Sequence, residues 1–226
     1  MSVEPLLTSR LEGGRAAPIL VWRLPGPLLA ISSAPLGGGI GPRAWVVNAT
    51  VDLAYERDDP DVHLATLAAD LGLTGPGIGL LTGVDVAELI RTEDEGVVVW
   101  STVGLGTPVA AAAPAVLSTE APGTVNVVAY VPARLGDAAL VNAVATATEA
   151  KAQALTALGV AATGTATDAV TVLCAPTGPV EVYGGPRSLW GARLARAVHE
   201  GVLERGRTYL QSGLPWSVRV TREASH

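Results

Sequence analysis

The apolar side chains of this sequence are small, and this restricts how its elements can pack. Ala, Val and Leu supply most of them, and the 226 residues include no phenylalanine. A core of short aliphatic groups needs helices and strands whose backbones approach closely. Hydrophobic residues form 49% of the chain and charged residues 16%, which excludes a solvated, disordered polymer. One core suffices for this length, so we expect a single domain.

Charge and cysteine content narrow the class of protein further. The net charge is −6, and no basic stripe marks a nucleic-acid-binding face or a surface for anionic lipid. Cys174 is the only cysteine, so no intramolecular disulfide can form. The N-terminal residues lack the pattern of a secretion signal, and no apolar run approaches the ~18 residues of a membrane helix. We therefore expect a soluble, cytoplasmic protein without nucleic-acid or membrane partners.

Apolar runs separated by turn-forming residues predict alternating strands and helices. Strands are expected over 19–24, 28–32, 45–51, 78–81, 96–103, 124–131 and 169–174. Helices are expected over 59–71, 137–158 and 188–209, with a helical turn at 85–90 and N-caps at Asp137 and Ser188. The elements interleave without a βαβ repeat. The predicted fold is α+β, a mixed sheet covered by helices, with a layered α/β sandwich as the alternative.

Three segments have no clear pattern of secondary structure. Residues 1–16 are expected to form a flexible N-terminal arm, and residues 212–226 a frayed C-terminal tail. The domain itself then spans 17–211. Within it, the Ala/Pro-rich segment 107–121 is expected to be a mobile connection.

Several short segments look like cofactor-binding or nucleophile motifs, but the residues around them do not fit those functions. Residues 39–44 carry the letters of a dinucleotide fingerprint, but a strand follows them where that motif needs a helix. Asp61 and His63 begin like the cobalt-ligating motif of cobalamin mutases, but Thr66 replaces its glycine. Cys174 lies in an apolar strand without a basic neighbour. The three histidines lack metal-ligand spacing, so no metal site is indicated.

The helix predicted over 137–158 carries the most informative polar residues. One narrow stripe of that helix contains Asn142, Thr146, Glu149 and Gln153. Lys151 points to nearly the opposite side. A helix this apolar should be largely buried, so Glu149 or Lys151 is expected to face protein or a cleft. Alternatively, the stripe is the solvated face and Lys151 extends its amine to water.

Polar residues in two turns and two strands are further candidates. The turn 163–168 places hydroxyl groups and Asp168 at the mouth of a strand, where they bind either a substrate amide or local backbone. Arg187 lies beside the start of the last helix, a location suited to an anion or an amide carbonyl. Asn48 and Asn126 lie within strands and face either a site or solvent.

Taken together, these segments resemble the adenosylcobinamide amidohydrolase family. The most specific are Thr-Glu-Ala-Lys at 148–151 and Gly-Thr-Ala-Thr-Asp at 164–168. The resemblance extends over about residues 29–198. Its other parts are residues 32–39, 48, 81–85, 102–104, 123–126, 137–143 and 146–147.

The resemblance implies a reaction. The amide joining the propionyl arm of the corrin ring to (R)-1-aminopropan-2-ol is hydrolysed, which gives adenosylcobyric acid for cobalamin salvage. Adenosylcobinamide or a related corrinoid is then the substrate, so no organic cofactor is expected, while a role for a divalent metal stays open. The alternatives are a non-catalytic corrinoid-binding protein and an amidase for another bulky amide, with Thr124 or Thr165 as nucleophile.

Amide hydrolysis needs a group that activates water, a group that polarises the carbonyl, and a proton for the leaving amine. We expect Glu149 or Asp168 to activate water. Lys151, Thr165 or a backbone N–H would stabilise the oxyanion or protonate the nitrogen. The candidates for substrate binding are Asn48, Asp85, Asn126, Asn142 and Arg187.

Overall fold

The computed structural model of the protein describes residues 3–12, 14–114 and 123–212. Its strands are β1 (Leu6–Glu12), β2 (Arg15–Ser32), β3 (Gly39–Thr50), β4 (Gly77–Thr82), β5 (Ile90–Asp94), β6 (Val97–Gly104), β7 (Pro108–Val109), β8 (Thr124–Val131), β9 (Arg134–Leu135), β10 (Gly164–Thr165), β11 (Ala169–Cys174) and β12 (Val180–Glu181). The helices are α1 (Pro60–Asp70), α2 (Asp137–Ala157) and α3 (Leu189–Ser212), and Val86–Glu88 forms a 3₁₀ turn.

Eight of the described strands form one mixed sheet in the order β4-β3-β2-β11-β8-β6-β5, with β1 paired to the first half of β2. The pairs β3–β4 and β8–β11 are parallel, and the other pairs of this sheet are antiparallel. The short strands pair as β7–β10 and β9–β12. A mixed sheet with three helices confirms the predicted α+β class.

The sheet curls so that its two halves face each other across an inner core. Trp22 on β2 packs edge-to-face against Trp100 on β6, with ring centroids 5.8 Å apart. Val46 and Ile78 from the β3–β4 half belong to the same buried cluster as Val128 from β8. Alternate residues of each strand therefore point into this inner space, as the two-residue period of a strand requires.

Helices cover the outer face of the sheet. The described helices α2 and α3 pack on β6, β8 and β11, and α1 packs on β2 and β3. Alanines line the buried side of α2, among them Ala143 and Ala147. Because these side chains are short, α2 lies close to the sheet and to α3, as the composition predicts. No helix among the described residues is long and apolar enough to span a membrane.

The sequence predicts a turn at Pro25-Gly26-Pro27, but the chain does not turn there. Segments 19–24 and 28–32 belong to one strand, β2, whose pairing with β3 shifts register between Arg23 and Leu28. The two prolines lie inside this irregularity, where the ladder needs no N–H group from them.

The predicted arm and helix cap also differ from the structure. Within residues 1–16, Leu6–Glu12 is a strand rather than a loose segment; its side chains are largely exposed, so no alternating apolar pattern marks it. The N-cap of α2 is Gly136 instead of Asp137, which is the first helical residue. The predicted cap of α3 is confirmed, because Ser188 Oγ accepts a hydrogen bond from Gly191 N.

Two predicted segments lie partly beyond the described residues. The predicted mobile connection, 107–121, contains the short strand β7, and its residues 115–121 lie outside the description. In the predicted tail, Ser212 is the last residue of α3, and 213–226 lie outside the description.

Candidate active site

Polar side chains meet where the parallel strands β8 and β11 begin. Asn126 is opposite Ala169 in this pair, so Asp168 comes beside Val125. Val125 N donates a 2.8 Å hydrogen bond to Asp168 Oδ1. Both strands start at the same edge of the sheet because they are parallel. The register of these two strands therefore places the Asp168 carboxylate beside the backbone of Val125, at the edge of the sheet where both strands begin.

Lys151 on α2 forms an ion pair with Asp168. Lys151 Nζ donates to Asp168 Oδ2, and the exposed fractions of the two side chains are only 8% and 11%. Gly164 lies directly beside both charged groups, and a Cβ atom there would collide with Lys151 Nζ and Asp168 Oδ2. Since burying an unpaired charge is costly, each group offsets part of the cost of burying the other.

Asp168 accepts four hydrogen bonds from the residues that the structure describes. Besides Lys151 Nζ and Val125 N, the donors are Thr165 N at 3.0 Å and Thr165 Oγ1 at 2.5 Å. These bonds fill the acceptor positions of a carboxylate. Thr165 Oγ1 also lies 2.7 Å from Gly123 O. The single hydroxyl proton of Thr165 therefore has two acceptors, Asp168 Oδ1 and Gly123 O.

A second hydroxyl pair lies beside the carboxylate. Thr124 Oγ1 is 2.6 Å from Thr167 Oγ1, and Thr167 Oγ1 donates to Gly123 O at 3.1 Å. Gly123 itself has little free space, since a Cβ atom would lie 2.5 Å from Gly104 O. The close approach of these backbones requires glycine here.

Two asparagines on the inner face of the sheet are joined. Asn126 Nδ2 donates to Leu81 O at 2.9 Å and to Asn48 Oδ1 at 3.0 Å. Asn48 Nδ2 donates to Thr102 Oγ1 at 3.1 Å. Asn126 Oδ1 is buried and has no hydrogen-bond partner among the described residues. This network connects β3, β4, β6 and β8.

A cavity of about 440 Å³ opens beside these groups. Its polar wall consists of Thr124, Asn126, Thr167 and Asp168, and Ser33 borders it from the end of β2. The segment after β3 forms the rim, which we define as residues 52–57 and which contributes Asp52, Leu53, Tyr55 and Arg57. The cavity thus has a polar inner wall and a partly apolar rim.

Tyr55 of the rim is held by His63 of α1. The two rings stack with centroids 5.5 Å apart, and Tyr55 Oη lies 3.0 Å from His63 Nδ1. His63 is buried, and this burial lowers the pKa of its imidazole. Burial likewise raises the pKa of the Tyr55 phenol. A hydrogen bond between a neutral histidine and a protonated tyrosine therefore supports the rim.

Comparison with known proteins assigns the family. A family model described as adenosylcobinamide amidohydrolase matches residues 5–213. The chain belongs to the adenosylcobinamide amidohydrolase family. It is therefore an amidohydrolase, and the predicted resemblance is confirmed.

Two relatives carry the same name. An adenosylcobinamide amidohydrolase of Methanosarcina mazei is 31% identical over 179 residues, which cover 75% of this chain and 86% of the relative. One of Halobacterium salinarum is 47% identical over 81 residues, which cover 36% of this chain and 35% of that protein.

In this member of the adenosylcobinamide amidohydrolase family, the structure brings five of the predicted site residues together. Asp168 and Asn126 line the cavity, and Lys151, Thr165 and Asn48 contact one of these two.

The other four predicted site residues lie away from the cavity. Glu149 is exposed and borders a separate groove of about 550 Å³ together with Lys151 and Thr165. Asp85 Oδ1 accepts from Ala87 N at 2.8 Å and caps the 3₁₀ turn. Asn142 is exposed and donates to Ala138 O of its own helix. Arg187 is exposed before α3.

Sequence reasoning did not select Ser33, Tyr55 or Thr167 for this site. Thr167 lies inside the motif at 164–168, so the motif itself was a signal for it. For Lys151, which was selected, lysine usage was a further signal: it is the only lysine of the chain, beside fourteen arginines. Ser33 lies inside the segment 32–39 of the resemblance, and nothing local marks Tyr55, which the curl of the sheet brings to the cavity.

Proposed function

We propose that this protein hydrolyses the aminopropanol amide of adenosylcobinamide in cobalamin salvage. The products are adenosylcobyric acid and (R)-1-aminopropan-2-ol, and the reaction takes place in the cytoplasm. The observation that carries the proposal is the Asp168 carboxylate, paired with Lys151, in the wall of a 440 Å³ cavity. The names of both relatives support the choice of substrate.

The size of the cavity supports entry of one arm of the substrate. Its volume of about 440 Å³ lies toward the lower end of the roughly 300–1,000 Å³ of small-molecule pockets. A corrin ring with its adenosyl ligand is larger than such a space. The aminopropanol arm therefore enters the cavity, and the corrin ring stays outside, against the rim at Leu53 and Tyr55.

Asp168 is the carboxylate that activates water in this proposal, because Glu149 lies in the separate groove. When the Thr165 hydroxyl turns to Gly123 O, one acceptor position of Asp168 Oδ1 becomes free for a water molecule. The water oxygen attacks the amide carbon while its proton passes to Asp168. General base catalysis of this kind contributes about 10²–10⁴-fold.

The tetrahedral intermediate then collapses. The C–N bond breaks, and the nitrogen takes the proton that Asp168 received, so the products are a free acid and an amine. Lys151 does not line the cavity and acts through Asp168, whose carboxylate it orients. Ser33 Oγ accepts from Val170 N at 3.1 Å, which leaves its own proton for the developing oxyanion.

The test is incubation of the purified protein with adenosylcobinamide, followed by mass spectrometry. Loss of aminopropanol with gain of water supports the proposal, and an unchanged corrinoid would indicate a binding protein instead. Asp168→Asn should lower kcat by at least 10²-fold. Asp70→Asn, an exposed carboxylate at the end of α1, is the matched control and should retain the parental rate.

The proposed steps use only protein groups and water. We therefore expect the reaction to proceed equally with and without a chelator of divalent metals. Loss of activity in the chelator, restored by added metal, would contradict this mechanism and leave the substrate assignment standing.

A further inference from the structure

The hydroxyl group of Thr124 lies in the wall of the cavity. Thr124 Oγ1 is 2.6 Å from Thr167 Oγ1, and either oxygen can be the donor in this contact. Thr167 Oγ1 also has Gly123 O as an acceptor at 3.1 Å. When Thr167 donates to Gly123 O, Thr124 donates to Thr167 and offers the cavity its lone pairs.

The orientation of the Asn126 amide is fixed by its two acceptors. Leu81 O and Asn48 Oδ1 both accept from Asn126 Nδ2, so both amide protons are committed. The remaining atom, Asn126 Oδ1, is an acceptor without a partner among the described residues, and the residue is only 1% exposed. Thr124 and Asn126 are two residues apart on β8 and therefore share one face of the strand. We call these two side chains the acceptor wall.

We infer that the acceptor wall recognises the hydroxyl group of the departing amino alcohol. This inference rests on the proposed function and adds the part of the substrate that is selected. The arm carries two donors, the amide N–H and the alcohol O–H. The nitrogen must face Asp168, which returns a proton to it. The hydroxyl is the second donor, and Thr124 and Asn126 provide acceptors in the cavity wall.

A site built to bind a hydroxyl group discriminates strongly against an analogue that lacks it. The analogue leaves buried acceptors unpaired, and such sites reach 10⁴-fold discrimination or more. Here the cavity is open to solvent on one side, so we expect a smaller effect, roughly 100-fold in kcat/KM. The analogue is the same corrinoid carrying an amide of 1-aminopropane in place of 1-aminopropan-2-ol.

The experiment compares both amides with the wild type, Thr124→Val and Thr124→Ser. Valine keeps the shape of threonine without an acceptor, and serine keeps the hydroxyl group. We expect the ratio of kcat/KM for the two amides to fall toward one in Thr124→Val and to persist in Thr124→Ser. Urea unfolding of both variants shows whether they are folded, and the readout is the ratio of the two amides measured within each variant.

The possible outcomes separate the two proposals. If the wild type cleaves both amides at the same rate, the inference is wrong and the proposed function stands. The inference is equally wrong if Thr124→Val slows both amides by the same factor, which is the result of a structural role. If the wild type cleaves neither amide, the proposed function and the inference are both overturned.

Discussion

Lys151 Nζ reaches Asp168 Oδ2 from the C-terminal half of α2, across the short turn that precedes β11. The partner of this carboxylate is the one lysine in a chain whose other basic residues are fourteen arginines. An ammonium group is compact, whereas a guanidinium group is a wide planar fork. Because Gly164 has no side chain, the Lys151 ammonium fits beside it. A methyl group at position 164 would collide with that ammonium.

Removal of one partner of this ion pair should destabilise the fold. In Lys151→Met the Asp168 charge stays buried without compensation, which costs about 3–5 kcal/mol. The double variant Lys151→Met/Asp168→Leu removes both charges and should recover part of that loss. Urea unfolding of the two variants measures the difference. Equal stabilities of Lys151→Met and the wild type would show that the pair is not coupled in solution.

Gly164 should be essential for the geometry of the carboxylate. Gly164→Ala forces Lys151 and Asp168 apart, and misplacement of a catalytic group by about 1 Å costs roughly 100-fold in rate. Gly26→Ala is the matched control, since a Cβ atom at Gly26 meets no atom within 4 Å. Steady-state hydrolysis of adenosylcobinamide by both variants provides the comparison. Full activity of Gly164→Ala would contradict the proposed role of the ion pair.

The asparagine network should contribute to stability as well as to the site. Asn48→Ala leaves Asn126 Nδ2 and Thr102 Oγ1 each short of one partner, and every unsatisfied buried group costs about 1–3 kcal/mol. Asn142→Ala on the exposed face of α2 should change stability by less than about 0.5 kcal/mol. Thermal or urea unfolding distinguishes the two, and similar values for both would contradict the assignment of Asn48 to a closed network.

Stability should fall in mild acid because of His63. Burial first, and then the positive charge of Arg57, lower its pKa in the folded protein. The unfolded chain therefore binds the proton more tightly. The contribution of His63 is fully present above its ordinary pKa of about 6.5 and is lost as the pH falls through the lower, folded value.

Melting temperatures between pH 7.5 and pH 5 test this expectation. The wild type should lose more stability over this range than His63→Gln, in which no imidazole is present to take up a proton. Parallel curves for the two proteins would mean that other groups cause the acid sensitivity.

Local sequence patterns predicted the central strands well. The observed bounds of β8 and β11 equal the predicted 124–131 and 169–174, because β-branched residues dominate both segments and both are buried on two faces. The strand β1 escaped prediction because its exposed residues carry no burial pattern. The continuity of β2 escaped because prolines at 25 and 27 imitate a turn.

The composition of the site was only partly predictable. The sequence selected Lys151, Thr165 and Asp168 from two separate segments, and nothing local showed that they touch. Their contact depends on the rotation of α2 about its axis and on the register between β8 and β11. The same holds for Thr124 and Thr167, whose hydroxyl groups meet only because these two strands start together.

The inner wall of the cavity and its rim come from different parts of the chain. Residues 123–169 supply the ion pair, the threonine hydroxyl groups and Asn126, β2 ends beside the cavity with Ser33, and residues 52–57 supply the rim after β3. Under the proposed mechanism, variation confined to the rim changes which corrinoids are accepted without touching the groups that break the amide bond. Evolution or a mutant library then adjusts preference and chemistry separately.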